Sequence, residues 1–254
     1  MQDKTKKKKG KRGRYRPESN QYAAYLISEW EGYQAHPERF DASLAVANGR
    51  EVSDVLDIGC GAGQELLPFV QRLGARGVGV DILPDAMEMA RKQFAKAGYA
   101  GQVEFHCCEA ESLPFADSTF DVVICRLALP YTHNEKALAE MGRVLRPRGT
   151  IILKIHHLRY YWRRFWLALG EGEIRKAGGD ARSMVCGAVS HVTGRQPSRR
   201  QTPREVFQTR WMLNRILARL GLQIRGELEN SDSNPHTPVF VIEKVASGKI
   251  NAGR

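Results

Sequence analysis

The chain has 254 residues, 42% hydrophobic and 8% aromatic, with a mean hydropathy of −0.43. That is enough for one large α/β domain with its own core, while the absence of an apolar run near 20 residues argues against a bilayer-spanning helix. Five scattered cysteines without a CxxC pair suggest neither a disulfide framework nor a zinc site, and a reducing cytoplasm is expected. The net charge of +11 is uneven: residues 1–16 carry nine Lys/Arg against Asp3, residues 17–157 thirteen against nineteen acids, and residues 158–220 thirteen against four.

In chain order, Lys4 to Arg16 is a like-charge block expected to be a disordered basic tail (1–16) ahead of a folded domain (17–254). Such a tail reads most plainly as solvated. Its charge would also suit nucleic acid or an anionic membrane surface. Ser19 or Asn20 can cap a helix whose Tyr22, Tyr25, Leu26 and Trp30 recur at helical spacing. These aromatics read as core, or alternatively Tyr22 or Tyr25 closes over a ligand. A second helix is expected from Pro37 to Ala47.

Val55 to Ile58 is a short apolar strand, and Gly59-Cys60-Gly61-Ala62-Gly63 a turn that brings backbone close to a ligand before a helix over 65–73. Gly77 to Val80 is a second strand ending in Asp81. That acid lies 22 residues after Gly59, close to the spacing of roughly 20 at which a strand-end carboxylate can receive both ribose hydroxyls of a ligand. A helix over 85–96 and strands Val103 to Cys107 and Phe120 to Cys125 follow. Next come a helix from Thr132 or Asn134, stopped by Arg146-Pro147-Arg148-Gly149, and a strand from Thr150 to Ile155. The alternation predicts a parallel sheet covered on both faces. No GxxxxGK[ST] is present, and the third glycine falls one residue too early for a pyrophosphate site. His106-Cys107-Cys108 sits on a strand, where adjacent residues face opposite sides, so no metal site is expected.

VLDIGCGAG, VGVDILPDAMEMA, CEAESLPFADSTFDVVIC and EMGRVLRPRGTIILKIH, taken together over about residues 52–157, resemble the class I S-adenosylmethionine-dependent methyltransferases. The resemblance is nearest to the small-molecule branch that includes the ubiquinone and menaquinone C-methyltransferases. It implies an α/β, Rossmann-like fold: a seven-stranded, mostly parallel sheet with helices on both faces and a helical insertion after strand five. It also implies S-adenosyl-L-methionine as cofactor. By position, Asp57 and the backbone of Gly59, Cys60, Gly61 and Gly63 would hold the methionine end, Asp81 the ribose, and Ile82 the adenine face. Glu109, with Glu111 as an adjacent rival, would accept from the adenine amino group and the Ala110 amide would donate to the ring. Arg126 and Leu127 would sit beside the methyl group.

Residues 158–202 read as a helical lid insertion. Trp162, Phe165, Trp166 and Leu169 share one helical face and Arg159, Arg163 and Arg164 another. The aromatic face is expected to cover an acceptor pocket, or alternatively to lie in a membrane interface. Gly178, Gly179, Gly187, Gly194 and Pro197 are read as mobile connections with helical pieces between them. Thr202-Pro203-Arg204-Glu205 carries the signature of a capped helix start, with the helix running to about Leu220. Two closing strands are expected, Leu222 to Glu229 and Pro238 to Val245.

The expected reaction is methyl transfer to a small-molecule O, N or C nucleophile. The rivals are an RNA or protein methyltransferase recruited by the tail, and a non-catalytic binder of the same cofactor. Tyr22, Tyr131 and Trp162 are candidate substrate contacts. His133, Tyr131 and His156, placed after strands four and five, are candidate bases.

Overall fold

The computed structural model describes residues 19–36, 38, 41–47, 49–199, 202–203, 205–228 and 236–245. The basic stretch 1–16 and the side chain of Tyr22 lie outside the described residues. Seven strands form one sheet: β1 (Asp54–Ile58), β2 (Arg76–Asp81), β3 (Val103–Cys107), β4 (Phe120–Arg126), β5 (Leu145–Lys154), β6 (Leu222–Leu228) and β7 (Val239–Lys244). Their order is β3-β2-β1-β4-β5-β7-β6. All pairs are parallel except β5 with β7 and β7 with β6. This is the mostly parallel, Rossmann-like sheet expected, with the order reversing between β1 and β4, where ligands bind in open α/β sheets.

The central strands are apolar on both faces because helices cover both. Leu56, Ile58, Val123 and Leu153 join one core with α5 (Asn134–Val144) and α8 (Arg210–Arg219). Val55, Val122 and Ile152 join the other with α1 (Ser19–Ala35), α3 (Leu67–Leu73) and α4 (Pro84–Lys96). Leu26, Trp30 and Tyr33 of α1 are buried, and Trp30 meets Phe94 of α4 edge-on at 5.5 Å between ring centroids. The core role expected of Trp30 and Leu26 is what the structure shows. Of the helix expected from Pro37 to Ala47, Asp41–Ala45 is helical as α2, while Pro37, Arg39 and Phe40 lie outside the described residues.

Between β5 and α8 the chain makes two long helices, α6 (Leu158–Gly170) and α7 (Ile174–Thr193). Gly178, Gly179 and Gly187 are not mobile connections: all three lie inside α7, and only Gly194, at φ 70°, ends it. At Gly187 the reason is proximity, since a Cβ there would lie 2.2 Å from the Phe207 ring. The helix start at Thr202 is also corrected. Thr202–Pro203 pairs with Ser198–Arg199 in a two-residue antiparallel ribbon, and α8 begins at Arg210 behind Thr209, whose Oγ1 accepts from the Met212 N–H at 3.2 Å. Burial of Val206, Phe207 and Gln208, together with the bond from Gln208 N–H to the His156 carbonyl (2.9 Å), holds the intervening segment extended. Tertiary contacts there outweigh a good local capping signal. Strand β5 likewise starts at Leu145, before the expected Thr150, with Arg148 at φ 65° marking the irregularity.

Candidate active site

Because β1 and β4 are neighbours, the turns leaving them face each other at the carboxyl edge of the sheet. The Gly59 and Cys60 N–H groups both donate to the Val80 carbonyl, at 2.8 and 3.1 Å, folding the first turn back toward β2. Gly59 has φ 71°, and a Cβ on it would lie 2.4 Å from the Ala128 Cβ. Only glycine lets the two turns meet here. They border an open recess lined by Asp57, Gly59, Cys60, Gln64, Glu65, Arg126, Leu127 and Lys154, with Tyr25 and Glu29 reaching over from α1.

The recess concentrates charge where water is scarce. Asp57 is 2% exposed, and its Oδ2 has no hydrogen-bond partner within the protein. Burial foremost, and then the neighbouring Glu65 charge, push its carboxyl well above the usual range. Glu65 is itself buried and accepts from Arg126 Nη1 at 3.0 Å. Burial raises its pKa too, while Arg126 and the buried Lys154 pull it back. Leu127 holds a left-handed φ of 63° and donates its N–H to the Lys154 carbonyl at 3.0 Å. Such strain costs about 1–3 kcal/mol at a non-glycine residue and persists where its surroundings fix it.

Asp81 stands beside this recess at the end of β2. Its Oδ2 accepts from Gly61 N–H (3.3 Å) and its Oδ1 from Leu83 N–H (3.0 Å), which fixes the carboxylate's orientation and leaves lone pairs for an external donor. Ile82 is 40% exposed at the rim. After β3, Ala110 is buried and Glu109 exposed, while the rival Glu111 is engaged by the His133 N–H at 2.7 Å.

An aromatic cluster forms behind β5. His156, 3% exposed, stacks on Tyr160 at 4.0 Å between centroids with a 4° tilt, and its Nδ1 is 3.4 Å from the Tyr161 hydroxyl. Tyr161 donates to Glu205 at 2.9 Å, and Tyr131 also hydrogen-bonds that carboxyl. Burial, with the Arg164 and Lys154 charges, drives the His156 pKa down to about 3. Unfolded histidine therefore takes up a proton that the folded one refuses. His156 contributes stability above about pH 6.5 that is lost as pH falls toward 3, with a slope of up to about 1.4 kcal/mol per pH unit. His156→Phe, which keeps a ring on Tyr160, is expected to flatten urea-unfolding stability between pH 6.5 and 4 relative to wild type. Parallel profiles for the two proteins would contradict this.

Residues 55–149 match a family described as a methyltransferase domain. A sterol 4-C-methyltransferase of Caenorhabditis elegans is 37% identical over 133 residues, 51% of this chain and 40% of that one. A ubiquinone/menaquinone biosynthesis C-methyltransferase of Francisella tularensis subsp. novicida is 33% identical over 114 residues, 44% of this chain and 46% of its own. The chain thus spans less than half the length of these two relatives. The crystal structure of a SAM-dependent methyltransferase from Aquifex aeolicus, 16% identical, superposes with a TM-score of 0.55 over 86% of this chain and 96% of that one. Residues 55–149 are a class I S-adenosylmethionine-dependent methyltransferase domain.

Within the methyltransferase domain the structure brings Asp57, Gly59, Cys60, Arg126 and Leu127 into one recess, with Gly61 tied to Asp81 beside it. It places Ile82, Glu109 and Ala110 along the same edge without lining that recess. Tyr131 is 43% exposed, edge-on to the His156 ring, and His133 occupies the N-cap position of α5 without a side-chain capping bond. Trp162 is 54% exposed against Phe165 and Trp166 and does not line the recess. Four recess residues escaped the sequence reading, Glu29, Gln64, Glu65 and Lys154. The lysine had a signal: a lone cation in Ile151-Ile152-Leu153-Lys154-Ile155, a strand buried on both faces, is costly unless it serves a site.

Proposed function

We propose that the protein transfers a methyl group from S-adenosylmethionine to a small-molecule acceptor, an O, N or C nucleophile, by in-line displacement in the cytoplasm. The observation that carries this is the buried, unpartnered Asp57 Oδ2 facing the recess where the glycine turn meets the end of β4. A buried carboxylate oxygen without a donor calls for a cationic or N–H ligand group, and the methionine ammonium of the cofactor is one. Asp57, the glycine-turn backbone and the Glu65–Arg126 pair would hold that end. Asp81, already oriented by two N–H groups, would take the ribose hydroxyls, with Ile82, Glu109 and the Ala110 amide at the adenine. When bound, the cofactor supplies a methyl activated by the sulfonium, so the residues around it mainly align the acceptor, which can contribute on the order of 7–11 kcal/mol. Tyr25 and Leu127 border the approach to that position. Named relatives support a small-molecule acceptor: sterol and quinone C-methyltransferases, and an O-methyltransferase of Penicillium expansum. Free cysteines throughout suit a reducing compartment.

A second reading, methylation of RNA or protein, draws on the nine Lys/Arg of residues 1–16. Radiolabelled methyl transfer into lysate split into RNA, protein, lipid and soluble metabolites tests both: label in lipid or metabolites supports the proposal, and label confined to RNA or protein overturns it. A non-catalytic binder would bind cofactor and label nothing.

The raised acids in the recess give the binding step a pH signature. Asp57, Glu65 and Asp81 are all pushed up by burial, so the unliganded protein retains protons that a cationic ligand displaces. Cofactor affinity is expected to rise with pH through the weakly acidic range and then level off. Titration calorimetry in buffers of different ionisation enthalpy should report net proton release. Proton uptake, or none, would contradict this charge assignment.

A further inference from the structure

The α6–α7 hairpin has its polarity reversed relative to an ordinary surface element. Inward, α7 buries Ala177, Asp180, Ser183, Gly187 and Ser190, all small or polar. Outward, Ile174, Val185, Val189 and Val192 are 68%, 63%, 44% and 82% exposed. At about 100° per residue these four fall within roughly 60° of one another, opposite the buried set. Helix α6 adds a second stripe, with Leu158, Trp162, Trp166 and Leu169 at 38%, 54%, 54% and 36% exposure. Its rings pack edge-on against one another, Trp162 against Trp166 at 5.8 Å and Phe165 against Trp166 at 5.3 Å, yet both tryptophans keep about half their surface exposed. Exposed Arg159 and Arg163 flank the α6 stripe and Arg182 the α7 stripe. Paired apolar stripes of this extent mark a docking face.

Charge selects the occupant. The hairpin, residues 158–195, holds seven Lys/Arg against three Asp/Glu, and residues 1–16 add nine Lys/Arg against one acid. A second copy of the chain would bring the same positive surface and be repelled; a surface of lipid phosphates would be attracted. Tryptophan sits well at the headgroup level, one side apolar and the indole N–H wet. No helix among the described residues is long and apolar enough to cross a membrane, so shallow seating is the geometry available to it.

We propose that the α6–α7 hairpin docks the protein on an anionic phospholipid bilayer, with Trp162, Trp166 and the α7 valines among the headgroups and Arg159, Arg163 and Arg182 on lipid phosphates. The docking does not depend on methyl transfer and is tested without cofactor or acceptor. The 254-residue chain is floated with vesicles of phosphatidylglycerol and phosphatidylcholine, and with phosphatidylcholine alone. Binding is expected to the anionic vesicles, weakened by added salt, and at least about tenfold weaker for Trp162→Ser/Trp166→Ser and for Val185→Ser/Val189→Ser, both of which leave the basic 1–16 stretch intact. Tryptophan emission of the wild type should move to the blue on anionic vesicles. Circular dichroism and thermal unfolding establish that the variants fold. If one pair does not, the other pair and the wild-type emission shift decide. Undiminished binding by folded variants would assign attachment to the tail and overturn the proposal. So would a wild type that ignores anionic vesicles and instead sediments as a dimer that the tryptophan pair dissociates.

Discussion

Asp57→Asn is expected to weaken S-adenosylmethionine binding about 100-fold while leaving the unliganded protein at least as stable as wild type. The two effects have one cause. In the unliganded fold the Asp57 carboxyl is 2% exposed with Oδ2 unpartnered, so burying it, whether as a charge or by retaining a proton, is a cost that the amide avoids. In the complex the same group meets a cation. Losing a charge-assisted hydrogen bond at a buried site removes about 1.5–3 kcal/mol, the latter being roughly 100-fold in affinity. Thermal unfolding with and without cofactor checks both at once: the unliganded midpoint holds or rises, and the ligand-induced rise nearly vanishes. A variant that loses unliganded stability yet keeps its ligand-induced rise would show that Asp57 braces the turn and does not touch the cofactor.

Gly59→Ala is expected to destabilise the fold by at least about 2 kcal/mol and to abolish cofactor binding. About 1–2 kcal/mol comes from placing a side chain at a left-handed φ. The rest comes from the new Cβ, which would lie 2.4 Å from the Ala128 Cβ and must push the β4 turn away from the glycine turn. The contributions separate in a double-mutant cycle. Gly59→Ala/Ala128→Gly removes the collision and keeps the dihedral cost, so the pair is expected to couple by about 1 kcal/mol or more, with binding partly restored. Strict additivity would mean that the turns are not in the contact described. The position matters because Arg126 and Leu127, which precede Ala128, line the recess and any shift of that turn misplaces them.

Much of this was legible beforehand, for reasons tied to particular residues. Strands β1 and β4 are short runs of Val, Leu and Ile bounded by turn residues, and burial on both faces makes such runs read the same at either end of the prediction. Asp57 and Asp81 announce themselves as lone acids at the ends of apolar strands. Where local signals failed, a distant partner had intervened. Thr202 to Glu205 has good helix-start chemistry, but Val206 and Phe207 are needed in the core and Gln208 on the His156 carbonyl, so the helix waits for Thr209. Gly187 looks like a break and is a contact, because nothing local reveals the Phe207 ring against it. Trp162 and Trp166 have the spacing of a core face and are half exposed, since periodicity groups side chains without saying which side the rest of the protein occupies.

By itself, then, the amino-acid order determined the alternation of elements, the glycine turn and the two strand-end acids, because backbone dihedrals and side-chain periodicity act over a few residues. Only the tertiary structure decided that Glu65 and Arg126, 61 positions apart, pair within the recess beside Asp57, and that Lys154 joins them. Those decisions depend on strand order and on desolvation, and both exist only once the chain has closed on itself.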